Sequence, residues 1–101
     1  MSQGTLQDVD GRVYTGQFKN GKANGYGKMW YLSAYYDGYW ADGKHNGFAE
    51  IQYDDGSFYR GQWKDNQYHG TGVYFDTYTF YVTTVKHSVY TEVEKELDLE
   101  L

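Results

Sequence analysis

The chain has 101 residues, including 13 Tyr and 13 Gly but no Pro and no Cys, and its net charge is −5. This length excludes two separate hydrophobic cores, and the lack of cysteine excludes disulfides, thiol nucleophiles and thiolate metal sites. Aromatic residues make up 21% of the chain, and no run of ten apolar residues occurs. We therefore expect a folded, β-rich domain without a transmembrane segment, located in the cytoplasm with peripheral membrane attachment left open.

The N-terminal residues 1–9 are polar apart from Met1, Leu6 and Val9. We expect this segment either to supply a capping strand or to remain loose.

An internal repeat dominates the chain from residue 12 onwards. Tyr14, Tyr36 and Tyr59 stand 22 and then 23 residues apart, and Gly and an aromatic residue follow each of them at alternate positions. Alternation with period two predicts a strand with one packed face. Such positions belong to a core by default, because a single hairpin cannot bury its own face and successive units must stack. The predicted core positions are Tyr14, Gly16, Phe18, Tyr36, Gly38, Trp40, Tyr59, Gly61 and Trp63.

Each first strand is followed by a turn signal and a second short strand. Asn-Gly and Asp-Gly pairs favour two-residue hairpins, and Asn tolerates the same left-handed backbone. The turn pairs are Asn20-Gly21, Asp42-Gly43 and Asp65-Asn66. The second strands are predicted over 25–31, 47–53 and 70–75.

The residues of one unit follow the pattern Tyr-x-Gly-x-aromatic-x-x-Gly-x-x-x-Gly-x-Gly over about 12–76. This pattern resembles the MORN repeat (membrane occupation and recognition nexus). Three departures are Phe18 in the usual Trp position, Ala49 for the last Gly, and Asn66 for the turn Gly. The resemblance implies an all-β, elongated and twisted array of antiparallel hairpins, with a groove that holds an extended or helical partner segment.

We assign residues 1–101 to one domain. Its three repeats cover 12–33, 34–56 and 57–79, and a C-terminal strand with an acidic cap covers 77–101.

The C-terminal segment departs from the repeat. Thr77 to Val85 is dense in Thr, Tyr, Phe and Val, which predicts a further strand on the last hairpin. The tail from Val89 fits two structures: its acids alternate with other residues as in a strand, yet its apolar residues recur every fourth position as in a helix. We favour a short capping helix, because like charges along one strand face repel. The acidic tail positions are Glu92, Glu94, Glu96, Asp98 and Glu100.

Catalytic and metal-binding patterns are missing from the sequence. His45, His69 and His87 lack metal-ligand spacing, and the serines lack a nucleophile-elbow pattern. Asp54-Asp55 is followed by Gly56, which indicates a solvated turn. We therefore expect no enzyme, no catalytic residue, no cofactor and no metal.

A modest basic edge is a second candidate feature. Against a net charge of −5 we expect it to be a solvated rim, which argues against direct nucleic-acid binding and weakens binding to anionic lipid. The lysines concerned are Lys19, Lys22, Lys28, Lys44 and Lys64.

The strongest candidate site is a set of aromatic residues outside the repeat positions. They alternate with the core residues and therefore point to the opposite face, and rings of this kind dominate interface hot spots. The alternative is internal packing, in which a twisted sheet uses both faces or the tail covers this one. The candidate partner-binding residues are Tyr26, Trp30, Tyr35, Tyr39, Phe48, Phe58 and Phe75.

These features predict a non-enzymatic protein–protein interaction module, acting as an adaptor, scaffold or small inhibitor, that binds a partner segment through an aromatic groove. One alternative is a module that binds phosphoinositides or an anionic membrane. Another is an acidic, phage-type inhibitor that blocks a nucleic-acid-binding protein with the acidic tail. Open strand edges also favour homodimers.

Overall fold

In the part of the chain that the structure describes, nine antiparallel strands form one open sheet in which each strand pairs with its neighbours in the sequence. The computed structural model describes residues 2–76 with their side chains and the backbone of 80–86 and 89–96. The molecule is elongated, with extents of 44 × 26 × 23 Å, and the all-β hairpin array is confirmed. The strands are β1 Ser2–Gln7, β2 Val13–Lys19, β3 Lys22–Trp30, β4 Ala34–Ala41, β5 Lys44–Tyr53, β6 Phe58–Lys64, β7 Gln67–Phe75, β8 Phe80–Lys86 and β9 Val89–Glu96.

The hairpin turns within the three repeats share one backbone geometry. Asn20 and Gly21 have φ of 52° and 76°, and Asp65 and Asn66 have φ of 49° and 69°. Two successive left-handed residues match the type I′ turn, whose twist suits a two-residue hairpin. Asn66 therefore replaces the usual Gly without changing the turn.

Each repeat also contains a β-bulge at the same position. The register shifts between Gly16 and Phe18, and it shifts again at the corresponding places in the other two repeats. Gln17 lies at the first bulge, and its side-chain Oε1 accepts a hydrogen bond of 2.7 Å from the backbone N–H of Tyr26. Gln62 does the same for Thr71 at 3.3 Å. The glutamine thus satisfies a backbone donor beside the bulge.

The first tyrosine of each repeat is buried on what we term the inner face of the sheet. Tyr14 is 2% exposed, and Tyr36 and Tyr59 are fully buried. A methyl group added at Gly27 or Gly72 would overlap the ring of Tyr14 or Tyr59, respectively. Glycine therefore allows these rings to fold down onto the neighbouring strand.

Hydrogen bonds and ring contacts join successive repeats on this inner face. The indole Nε1 of Trp40 donates to the carbonyl of Gly27, and that of Trp63 donates to the carbonyl of Ala49, each at 3.1 Å. Trp40 also packs edge-on against Tyr14 with ring centroids 5.2 Å apart. Each tryptophan consequently covers the core of the repeat before its own.

The residue that stacks on the buried tyrosine differs between the second and third repeats. His45 stacks on Tyr36 at 3.7 Å, and Tyr68 stacks on Tyr59 at 3.9 Å. Nε2 of His45 is 2.6 Å from the hydroxyl of Tyr31, which belongs to the preceding repeat. Burial lowers the pKa of His45 to about 4, so the ring is neutral near pH 7.

Both ends of the array carry additional strands. β1 pairs with β2 over the whole length of β1, so the first of the two alternatives for this segment, a capping strand, holds for residues 2–7. β8 pairs with β7 from Gly70 to Phe75, which confirms a further strand on the last hairpin. The helix that we favoured from Val89 is wrong for 89–96, where β9 pairs with β8. Residues 77–79, where the expected strand began, and the tail end with Asp98 and Glu100 lie outside the described residues. Within the described part, no helix is long and apolar enough to cross a membrane.

Candidate functional site

The face of the sheet opposite the buried tyrosines, which we term the outer face, is organised in three rows that run across the strands. Residues two apart on one strand point to the same face about 7 Å apart, and the cross-strand register aligns them with residues on the neighbouring strands. A hairpin-side row lies near the type I′ turns, a junction-side row lies near the turns between repeats, and a charged row lies between them.

The hairpin-side row holds three exposed rings: Tyr26 is 42%, Tyr39 is 50% and Phe48 is 57% exposed. Tyr26 and Tyr39 are cross-strand partners and pack edge-to-face with centroids 5.7 Å apart. The hydroxyl of Tyr26 donates to Asp37, and this hydrogen bond raises the pKa of Tyr26 to about 12. Tyr26 is therefore a neutral hydrogen-bonded ring that leans across the charged row.

The junction-side row consists of two aromatic pairs separated by Gln52. Trp30 is 42% exposed and packs on its cross-strand partner Tyr35 at 5.0 Å. Phe58 and Phe75 are also cross-strand partners, with rings stacked at 5.3 Å. Tyr35, Phe58 and Phe75 are half-buried, so this row is a wider and partly covered apolar surface.

The charged row contains two bases and two acids. Lys28 faces Asp37 across β3 and β4, and Glu50 faces Arg60 across β5 and β6. Arg60 forms an ion pair with Glu50 at 3.2 Å. The row therefore carries no net charge, and the two aromatic rows lie on either side of a neutral polar strip.

The structure places the seven aromatic residues of the sequence prediction on this one outer face, in the two aromatic rows. The nine repeat positions lie elsewhere: their tyrosines and tryptophans are buried, and Phe18 is half-buried. Of the acidic tail positions, Glu92, Glu94 and Glu96 lie on β9, while Asp98 and Glu100 are outside the described residues.

Charge is separated between the two long edges of the sheet. The type I′ turn edge carries exposed lysines together with Asp42 and Asp65, whereas acids predominate on the junction edge. Lys28 is not part of the basic edge, because it lies in the charged row opposite Asp37. The exposed lysines of the type I′ edge are Lys19, Lys22, Lys44 and Lys64. The charged residues of the junction edge are Asp8, Asp10, Arg12, Asp54, Asp55 and Asp76.

A cavity of about 350 Å³ adjoins the hairpin-side row. Phe48 forms its apolar side, and Gln62, Lys64 and His69 supply polar side chains. No acid is among the described residues that line it. This group was not predicted from the sequence, and His69 was considered there only as a histidine without metal-ligand spacing. A signal was present, because the preceding repeat holds different residues at these positions, namely Tyr39, Ala41 and Asn46.

A second cavity of about 420 Å³ lies beside the turn between β5 and β6. Its aspartate Asp55 accepts hydrogen bonds from the backbone N–H and the hydroxyl of Ser57, at 2.8 and 2.5 Å. These bonds lower the pKa of Asp55 and identify it as a turn-stabilising residue. The part of the chain that the structure describes contains no group of three or more His, Cys, Asp or Glu that could hold a metal ion.

Comparisons with known proteins agree with this architecture. The family model of the MORN repeat matches residues 14–31, 36–58 and 59–80. The chain is 36% identical over 77 residues to alsin of Rattus norvegicus and 35% identical to alsin of Homo sapiens. Both matches cover 70% of this chain but only 5% of alsin, so the chain spans a small part of these relatives. MORN repeats are non-catalytic modules of protein and membrane interaction. The resemblance seen in the sequence is confirmed, and this chain belongs to the MORN-repeat family.

Proposed function

We propose that this chain is a non-enzymatic protein-interaction module whose outer face binds a segment of another protein. The observation that carries the proposal is the exposure of Tyr26, Trp30, Tyr39 and Phe48, which are between 42% and 57% exposed on one face. Large rings contribute most of the binding energy at protein interfaces. Several large rings exposed on one face are typical of a protein interaction site.

The electrostatics of the outer face favour a protein partner. The chain as a whole has a net charge of −5, but the charged row is balanced, with Lys28 and Arg60 against Asp37 and Glu50. A neutral polar strip between apolar rows suits a peptide, whose backbone and polar side chains contact the strip while apolar side chains reach the rings.

The test is a fourfold variant in which Trp30, Tyr35, Tyr39 and Phe48 are all replaced by Ser. Partner proteins captured from the native host by the wild-type chain and identified by mass spectrometry would then be titrated against purified variants. We expect the fourfold variant to weaken binding by about a hundredfold or more, because several hot-spot rings are removed together.

A control variant also loses exposed apolar side chains, but these lie outside the outer face. Val9 and Leu32 are 102% and 79% exposed, and they lie outside the strands. A Val9→Ser, Leu32→Ser variant should bind the partner as the wild type does. Retention of partner binding by a folded fourfold variant would refute the proposal. Unfolding of that variant, seen by circular dichroism, would refute the assignment of these rings to a surface.

A second candidate function is supported by the basic edge. Lys19, Lys22, Lys44 and Lys64 are exposed along one long edge, and each lysine near an anionic leaflet contributes about 1 kcal/mol. Asp42 and Asp65 on the same edge oppose this attraction. Sedimentation with vesicles of phosphatidylserine and phosphatidylcholine over a salt series tests the alternative, which requires binding at low salt that Lys22→Glu with Lys44→Glu abolishes.

A further inference from the structure

We infer that the cavity beside Phe48 binds a carboxylate side chain of the partner segment, next to an apolar residue of that segment. This inference rests on the proposed function and adds the partner's chemistry to it. The cavity is about 350 Å³ and opens beside the most exposed ring of the hairpin-side row.

The side chains around the cavity present hydrogen-bond donors. Oε1 of Gln62 is already occupied by the backbone N–H of Thr71 at 3.3 Å, so the amide nitrogen of Gln62 keeps both hydrogens for another acceptor. The ammonium group of Lys64 forms no ion pair with the described residues. A carboxylate is the acceptor that such donors bind most strongly.

The imidazole of His69 adds a further donor. Its Nδ1 is buried and has no hydrogen-bond partner. A buried N–H without an acceptor is costly, so a hydrogen is favoured on Nε2 over Nδ1. His69 consequently offers an N–H donor from the other side of the ring, again with no acceptor among the described residues.

The aromatic residues that line the cavity restrict which ligand it can bind. Phe48 is exposed, and the buried Trp63 also lines the cavity. One lysine and neutral donors suit a single negative charge, and the apolar wall suits a neighbouring aliphatic side chain. Both belong to a peptide that contains Glu or Asp beside an apolar residue.

The corresponding position in the second repeat cannot bind a carboxylate in this way. Ala41 stands where Lys64 does, Asn46 stands where His69 does, and Tyr39 replaces Gln62. The ring of Tyr39 packs on Tyr26 and over Gly47. The first repeat keeps Gln17 and Lys19 at these positions but has Asn24 in place of His69, and Gln3 lies opposite Gln17 where Phe48 lies opposite Gln62. The combination of these donors with His69 and an aromatic wall therefore belongs to the third repeat, and it orients a partner segment along the outer face.

Two synthetic peptides test the inference, acetyl-Leu-Glu-Leu-amide and its glutamine counterpart acetyl-Leu-Gln-Leu-amide. Imidazole signals of the full chain would be followed by NMR at millimolar peptide. We expect the glutamate peptide to shift the ring signals of His69 and leave those of the buried His45 unchanged. It should bind about threefold to tenfold more tightly than the glutamine peptide, through a partly exposed charge-assisted contact.

Matched charge reversals provide the control. Lys64→Glu should abolish the preference for glutamate, whereas Lys19→Glu, the same repeat position in the first unit, should preserve it. Lys64→Gln should give the same loss as Lys64→Glu without adding a negative charge.

Three results would overturn the inference: equal binding of the two peptides, no shift of His69 at millimolar peptide, or a preference that survives both changes at Lys64. A shift of His69 by inorganic phosphate or by phosphatidylserine vesicles that exceeds the shift by the glutamate peptide would also overturn it. Failure here leaves the proposed function standing if the fourfold aromatic variant still loses its partner. Success here with an unaffected fourfold variant would refute the proposed function, because that variant lacks the Phe48 ring, and would limit the role of the cavity to its polar donors.

Discussion

The two faces of this sheet use the same residue types with opposite results. Tyr36 and Tyr59 are fully buried on the inner face, whereas Tyr26 and Tyr39 on the outer face are 42% and 50% exposed. The inner rings can fold down because small residues lie diagonally across from them, as Gly72 does from Tyr59, whose direct partner is Tyr74. On the outer face, Tyr26 and Tyr39 are direct cross-strand partners that pack on each other instead. The neighbours on the adjacent strands therefore decide whether a tyrosine is buried in this fold.

The two faces also differ in the hydrogen-bond partners of their tyrosine hydroxyls. The hydroxyls of Tyr14, Tyr36 and Tyr59 each donate to the backbone carbonyl three residues later, at 2.7, 2.5 and 2.9 Å. A buried hydroxyl needs such an acceptor. On the outer face the hydroxyl of Tyr26 donates to the carboxylate of Asp37, and the hydroxyl of Tyr35 is hydrogen-bonded to Lys28. The hydroxyls of the three buried inner tyrosines are thus satisfied by backbone carbonyls, whereas those of Tyr26 and Tyr35 are bonded to charged side chains.

The largest expected effect comes from removing a ring that covers two repeats. Trp63 is 5% exposed and packs against Tyr36 at 5.3 Å and Tyr59 at 5.4 Å. Trp63→Ala should lower the free energy of unfolding by about 3–5 kcal/mol, measured by urea denaturation. A loss below about 1 kcal/mol would show that the inner face is not the core.

Adding one methyl group to the inner face should also be costly. A Cβ at Gly38 would overlap the Cβ of Ala49 and lie 2.5 Å from its Cα, so the backbone itself must move. Gly38→Ala should destabilise the chain by about 1–3 kcal/mol. Because Ala49 is the obstacle, Ala49→Gly should recover part of the loss, and strict additivity in this double-mutant cycle would contradict the argument.

Acid should weaken the inner face through His45. Burial holds the pKa of His45 at about 4, below its value of about 6.5 in an unfolded chain. The unfolded state therefore binds a proton first as the pH falls from about 6.5 to 4, and stability decreases by about 1–3 kcal/mol over that range. Thermal melts at several pH values measure this decrease.

His45→Tyr is the matched control, since Tyr68 occupies the same position in the third repeat and bonds the hydroxyl of Tyr53 at 2.5 Å. The variant should lose this part of the pH dependence and retain the stacking on Tyr36. An unchanged pH profile in the variant would assign the effect to other groups.

The smallest expected effect lies on the outer face. Phe48 is 57% exposed, so Phe48→Ser should change the free energy of unfolding by less than about 0.5 kcal/mol. The same urea measurement as for Trp63→Ala provides the comparison. A cost near that of Trp63 would remove the distinction between the two faces.

The sequence predicted the strands, turns and repeat register well because these depend on local chemistry. Asn20-Gly21 defines a type I′ turn, and alternation around Tyr14 and Tyr36 defines which residues share a face. The tail was predicted less well. A spacing of four residues between Val89 and Val93 is compatible with both a helix and a strand, and pairing with β8 is a tertiary effect that the local pattern does not contain.

The candidate site was predictable in part for the same reason. The period-two alternation of the sequence was sufficient to assign the seven aromatic residues to the face opposite the core. The charged row and the cavity were not predicted, because they depend on which residues become cross-strand neighbours. Glu50 and Arg60 are ten residues apart in the chain but form an ion pair, and the side chain of Gln62, which lines the cavity, is held by a hydrogen bond from the N–H of Thr71 on the neighbouring strand.

The hydrogen bonds from Trp40 to Gly27 and from Trp63 to Ala49 make the array directional. The second and third repeats each supply a tryptophan that covers the repeat before it, so deleting one of these units removes the cover from its neighbour. A duplicated unit of this kind, by contrast, brings its own tryptophan and its own acceptor carbonyl. Duplication of a whole unit therefore preserves the contact between neighbouring repeats.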